Sequence, residues 1–122
     1  MKLKKAIIKI KSVEEVKSEW KKAIRGESKY IQKKNEIVFI SFESASKVFS
    51  KNRMEILQTI AREKPGSIYK LAKILNKDFK SVYMDVKYLS EMELIELQEN
   101  EDARNGLKPI ALYSGIEFDW AA

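Results

Sequence analysis

Two residue types are missing altogether: the 122 residues include no Cys and no His. Without Cys there are no disulfides, thiol nucleophiles, zinc fingers or iron–sulfur ligands. Without His, Ser-His-Asp catalysis, haem ligation by His and most transition-metal sites are excluded. Glycine is scarce, at positions 26, 66, 106 and 115, too scattered for a P-loop or a dinucleotide fingerprint. Apolar runs such as Ile37-Val38-Phe39-Ile40 are far too short to span a membrane. Paired carboxylates at catalytic spacing are lacking too, so the sequence predicts a non-enzyme with no metal and no cofactor.

What is present is charge, and it is unevenly placed. Lys and Arg total 24 against 18 Asp and Glu, a net of +6, with a pI near 9.4. Such a surplus favours polyanionic partners: nucleic acid, an acidic protein or an anionic membrane surface. Residues 1–34 carry 12 basic and 4 acidic groups, and residues 35–66 carry 5 and 4. Residues 67–90 carry 5 and 2, whereas 91–106 reverse the sign with 1 and 6. The opening MKLKKAIIKIK has the basic flank of a signal peptide, but Lys9 and Lys11 interrupt its apolar segment. The expectation is a cytoplasmic protein without membrane association.

Periodicity divides the chain at residue 43. In residues 1–43, Lys2–Lys11 reads as a half-buried or edge strand. Ser12-Val13-Glu14-Glu15 is a capping box. Val13, Val16, Trp20, Ala23 and Ile24 follow at helical spacing, and Gly26 ends the run. Glu36–Phe42 is β-branched and aromatic, hence strand. Trp20 and Trp120 read most simply as core anchors.

Residues 44–122 predict helices and then strands. A short lead-in over Ser44–Phe49 precedes a helix capped by Ser50, with Met54, Ile56, Leu57, Ile60 and Ala61 inward. Lys64-Pro65-Gly66 stops it. Ser67 caps a short helix whose Ile68, Leu71, Ala72 and Leu75 form one face. After the break at Asn76-Lys77, Asp78 caps a helix with Phe79, Val82, Val86 and Leu89 inward. Leu94–Gln98, a polar turn over Glu99–Gly106 and Leu107–Tyr113 read as a hairpin; Ile116, Phe118 and Trp120 alternate with acids as a last strand. The first and last strands each need a neighbour: each other, Glu36–Phe42, or a second chain.

Two short amphipathic helices joined by so tight a break are a helix-turn-helix arrangement, and the following hairpin makes it winged. Ser67-Ile-Tyr-Lys-Leu-Ala-Lys-Ile-Leu-Asn, Asp78-Phe-Lys-Ser-Val-Tyr-Met-Asp-Val-Lys-Tyr-Leu and Met92-Glu-Leu-Ile-Glu together resemble MarR-type winged helix-turn-helix transcriptional regulators. More narrowly, the chain resembles small archaeal and bacterial regulators with a strand–helix–strand segment in front. The resemblance covers about Ser46 to Tyr113, with family members usually carrying Gly where Asn76 and Glu93 stand. It implies an α+β fold: a three-helix core and β-hairpin wing over 44–122, preceded by a strand–helix–strand extension over 1–43 for dimerisation or partner binding.

The resemblance also implies a site. A recognition helix in the major groove would present Lys80, Ser81, Met84, Lys87 and Tyr88, with Lys77 in the turn before it. Ser67, Tyr69, Lys70 and Lys73 would meet the DNA backbone, and Arg104, Asn105 and Lys108 would be the wing groups. Lysines on outward helix faces are more often plain solvated surface, Met84 and Tyr88 suit packing or dimer contact as well as base reading, and the six carboxylates of 91–106 oppose wing insertion. The expected function is a sequence-specific double-stranded DNA-binding regulator, a repressor or antitoxin-like autoregulator. It is expected to act as a homodimer with two recognition helices one DNA turn apart, with a protein such as a toxin as a further partner. The competing reading is a protein-interaction module whose basic front binds an acidic partner.

Overall fold

The computed structural model describes residues 3–26, 35–102, 104 and 106–119. Along the chain, the order is β1 (Ala6–Ile10), α1 (Val13–Ile24), β2 (Glu36–Phe39), α2 (Phe42–Val48), α3 (Lys51–Glu63), α4 (Ile68–Leu75) and α5 (Phe79–Glu91). The strands β3 (Ile95–Glu99), β4 (Leu107–Ala111) and β5 (Ile116–Asp119) complete it. The fold is α+β. No helix among the described residues is long and apolar enough to cross a membrane.

Three strands form a parallel sheet in the order β2-β1-β5. Ile8 lies opposite Ile37 on one side and Phe118 on the other. The expected edge strand is therefore the centre of the sheet. Ala6 and Ile8 are fully buried, as a middle parallel strand requires. The lysines in and just after it are tolerated because carboxylates meet them: in the strand, Lys9 Nζ lies 3.2 Å from Glu36, and one residue past its end Lys11 Nζ lies 2.9 Å from Glu19. The last strand, grouped by its sequence with residues 44–122, pairs with β1, so both ends of the chain build one sheet.

Caps set the helix starts. Ser12, Ser41, Ser50, Ser67 and Asp78 each accept from the backbone N–H three residues on. Ser41 explains two corrections. It ends the expected strand Glu36–Phe42 at Phe39, and it starts the lead-in helix at Phe42 instead of Ser44. The hairpin strand expected from Leu94 runs Ile95–Glu99 and pairs antiparallel with β4, Leu97 opposite Pro109.

One core joins the parts: Ile56 and Ile60 of α3, Ile68, Leu71 and Ala72 of α4, Val82, Val86 and Leu89 of α5, with Ala6, Ile8, Phe39, Leu94 and Ile95. Three expected inward residues depart from it. Trp20 is 57% exposed, and α1 buries no residue, so Trp20 is not a core anchor; Trp120 lies outside the described residues. Met54 is exposed because it lines an open groove of about 720 Å³ beside Leu57, Leu94 and Ile116. Phe79, in the first turn of α5, is 45% exposed.

Among the described residues, three non-glycine residues adopt left-handed backbone: Lys64 (φ 48°), Asn76 (φ 54°) and Glu93 (φ 61°). Each follows a helix. At Asn76 and Glu93 the helix closes with the paired bonds of a Schellman turn: Lys77 N–H to Ala72 and Asn76 N–H to Lys73, then Leu94 N–H to Leu89 and Glu93 N–H to Ser90. Asn tolerates this region, whereas Glu pays for its Cβ. Replacing Glu93 with Gly is expected to stabilise the protein by up to about 1 kcal/mol, read as a higher urea midpoint. A midpoint at or below wild type would count against strain at this turn.

Candidate nucleic-acid interface

The outward face of α5 starts from its inner one. Val82, Val86 and Leu89 are buried, so 3.6-residue periodicity turns Lys80, Ser81, Met84 and Lys87 to the opposite side. All four are exposed, Met84 at 60%. The Lys80 and Lys87 ammonium groups make no hydrogen bond or ion pair among the described residues.

The carboxylates nearby are occupied. Asp78 caps α5, accepting from Ser81 N at 3.1 Å and from the Ser81 hydroxyl at 3.3 Å. Asp85 accepts from Arg53 Nε at 3.1 Å. The same guanidinium donates through Nη1 to the Lys47 carbonyl at 2.7 Å and lies 4.0 Å above the Tyr88 ring. Arg53 of α3 thus neutralises the one acid in mid-α5 and covers Tyr88, which is half-buried beneath it. Neither role shows in the sequence, where Arg53 sits 32 positions from Asp85.

The remaining candidate residues divide by what they touch. Lys77 leans on α3, where its Nζ is 3.0 Å from Asn52 Oδ1 and 3.6 Å from Glu55; it ties the turn to α3. Ser67 is buried, and its hydroxyl accepts from Lys70 N at 3.0 Å as the α4 cap. Lys70 and Lys73 are exposed on α4. The Lys73 ammonium stands 4.8 Å from the centre of the Tyr69 ring, a cation–π contact.

Tyr69, Phe79 and Tyr83 form an aromatic row with centroid spacings of 6.1 and 5.9 Å. It lines an open groove of about 470 Å³ together with Arg104 and Gly106 of the hairpin turn and Leu107 at the start of β4. This row explains the exposure of Phe79: its ring packs sideways between two tyrosines instead of downward. The hint in the sequence was the spacing of Phe79 and Tyr83, one helical turn apart.

In the hairpin turn, Arg104 is 91% exposed at its side chain and is held by Asp102, Nε to Oδ1 at 3.3 Å. Lys108 is half-buried within β4, and Asn105 lies outside the described residues. Asn100 donates to the carbonyls of Gly66 (3.2 Å) and Gly106 (2.8 Å), fixing the turn to the α3–α4 connection. The turn keeps its acids exposed, with Glu99, Glu101 and Asp102 at the surface. Among the described residues, no cluster of acidic side chains could hold a metal ion.

The segment carrying α3, α4, α5 and the hairpin is also the one shared with other proteins. The family model HVO_A0114 matches residues 48–118, more than half of the chain. The protein belongs to the HVO_A0114 family. No curated protein and no solved structure gives a significant match. The HVO_A0114 segment holds every candidate interface residue named above, and it excludes β1, α1 and β2.

Arg53 is the test of this arrangement. Arg53→Ala is expected to destabilise the fold by about 1–3 kcal/mol, through the lost charged hydrogen bonds and the uncovered Tyr88 ring. Because Asp85 shares that contact, Arg53→Ala and Asp85→Ala should be non-additive by more than about 0.5 kcal/mol in denaturant unfolding. Simple additivity would show that the pair is uncoupled.

Proposed function

We propose that α3, α4 and α5 with the β3–β4 hairpin are a winged helix-turn-helix, and that the protein is a homodimeric regulator of transcription binding double-stranded DNA through α5. The observation that carries this reading is the contrast on α5: free ammonium groups at Lys80 and Lys87 on an exposed face, with both carboxylates of the 67–90 segment already engaged. A helix with that face suits a major groove flanked by phosphates. The tight α4–α5 turn and the MarR-type resemblance support the same reading.

In this reading Lys80 and Lys87 neutralise phosphates or donate to guanine, Ser81 bonds base or phosphate, and Met84 offers apolar contact to a thymine methyl. Lys70 and Lys73 on α4 add backbone contacts, and Tyr69 adds a hydroxyl. Lys77, Ser67 and Tyr88 act at one remove, holding α4 and α5 in place. Contact from the hairpin is weak, because Arg104 is engaged by Asp102 amid other acids. No catalytic step, metal or cofactor enters the reading. Its biological form is a repressor or antitoxin-like autoregulator, for which a toxin would be the protein partner.

The competing role, a basic front that captures an acidic protein, is disfavoured by two of the front's own lysines. Lys9 and Lys11 are already paired with Glu36 and Glu19.

Selection of bound duplexes from a random pool is expected to enrich a palindromic site. For that site, replacing Lys80 and Lys87 together with Ala should weaken binding and lower the log–log salt slope by about 1.8 per protomer. Unchanged affinity and slope would remove α5 from the interface. Equal binding to any polyanion, with no enriched sequence, would favour the protein-interaction role.

A further inference from the structure

A lone apolar side chain on a surface needs no explanation, but a contiguous exposed patch marks a binding site. Tyr69 of α4 and Phe79 and Tyr83 of α5 form such a patch. Tyr69 is 57% exposed and Phe79 45%, while Tyr83 is half-buried. Successive ring centroids stand 6.1 and 5.9 Å apart. Phe79 and Tyr83 meet because they are one helical turn apart, and the packing of α4 on α5 brings Tyr69 to Phe79. Ile68 and Leu107 complete the apolar lining of the groove of about 470 Å³, within the ~300–1,000 Å³ of small-ligand sites.

The charges around the row are one-sided. Along α4 and α5, Lys70, Lys73, Lys80 and Lys87 are exposed. Round α5, Lys80 lies about 60° and Lys87 about 40° from Tyr83, so both border the rings. The Lys73 ammonium stands 4.8 Å from the centre of the Tyr69 ring. Asp78 and Asp85, the acids of this side, are engaged by Ser81 and Arg53. At the hairpin the sign reverses, with Glu99, Glu101 and Asp102 exposed. Asp102 holds Arg104 through Nε and Nη2 at 3.3 and 3.4 Å, which cancels its charge but leaves the side chain 91% exposed.

Flat rings with cations along one edge select their occupant. A flat anionic membrane would meet the hairpin acids together with the lysines. An apolar peptide would match the rings and leave the lysines unanswered. A duplex keeps its base faces stacked inside. A single strand offers base faces to the rings and one line of phosphates to the lysines, and it is narrow enough to avoid the acids. The planar guanidinium of Arg104 adds a further face for stacking.

We propose that Tyr69, Phe79 and Tyr83 are a stacking platform for unpaired bases of single-stranded DNA, with Lys73 and Lys80 on its phosphates. This deepens the function proposed above: the choice of DNA over RNA rests on it, because the row borders the α5 face assigned to the duplex. The stacking itself does not require duplex binding.

Fluorescence anisotropy with a short labelled oligodeoxythymidylate tests it, against an abasic strand of the same length and charge. The strand with bases is expected to bind at least about fivefold more tightly. Tyr69→Leu and Phe79→Leu, which keep apolar bulk but remove the ring faces, should each weaken it by at least about fivefold. Tyr69→Phe and Phe79→Tyr should hold it near wild type. Urea unfolding checks that each variant is folded. Equal affinity for the abasic strand, indifference to both Leu variants, or tighter binding of the matching oligouridylate overturns the proposal. Duplex binding on the same samples separates the two ideas, since Phe79 has no part in the proposed duplex contacts. Duplex binding without single-strand binding sinks only the platform. Ring-dependent single-strand binding by a protein that binds no duplex upholds the platform and sinks the duplex reading.

Discussion

An eight-residue helix has almost no stability of its own, so the burial of α4 between α3 and α5 is the constraint on which the rest depends. Ile68, Leu71 and Ala72 provide it, all nearly or fully inaccessible. The small side chain of Ala72 permits close approach, and the left-handed Asn76 turns the chain straight into α5. Once α4 is seated, the direction of α5 follows, and with it the side that Lys80, Met84 and Lys87 present. Asn100 then ties the hairpin to the turn that precedes α4. The candidate surface is therefore a consequence of core packing at a distance from it.

Charge illustrates how far composition carries. The count of basic residues treats Lys9, Lys11, Lys77, Lys80 and Lys87 alike. In the folded chain the first two neutralise Glu36 and Glu19, and the third bridges to Asn52 and Glu55 of α3. Lys80 and Lys87 have no ammonium partner among the described residues. A lysine that meets a carboxylate within the fold adds little to the field a polyanion feels, so the surface available for DNA in the proposed reading is narrower than the tally suggests. Arg53 works the other way: by holding Asp85 it removes a negative charge from the middle of α5.

The aromatic residues show where periodicity misleads. Phe79 matches the inward spacing of Val82 and Val86, yet in the first turn of α5 its ring meets Tyr69 and Tyr83 instead of the core. Trp20 has helical spacing and the largest apolar side chain, yet α1 buries nothing. Periodicity identifies which residues share a face of a helix. Whether that face is covered depends on what lies opposite, and in α1 no residue reaches full burial. A stripe at the right spacing is thus as consistent with an interface as with a core.

Local chemistry was legible in the residues alone. Ser12, Ser50, Ser67 and Asp78 mark helix starts because their oxygens satisfy nearby N–H groups. Asn76 marks a break because its short polar side chain tolerates a left-handed turn. These signals act within four residues, so element types, order and the inner faces of α4 and most of α5 could be read directly. Tertiary structure alone decided the rest: β1 as the middle strand, β5 beside it, and Arg53 over Tyr88. Each joins residues dozens of positions apart, and pairings of that kind depend on which surfaces the packed helices leave facing one another, a property that no local window of sequence contains.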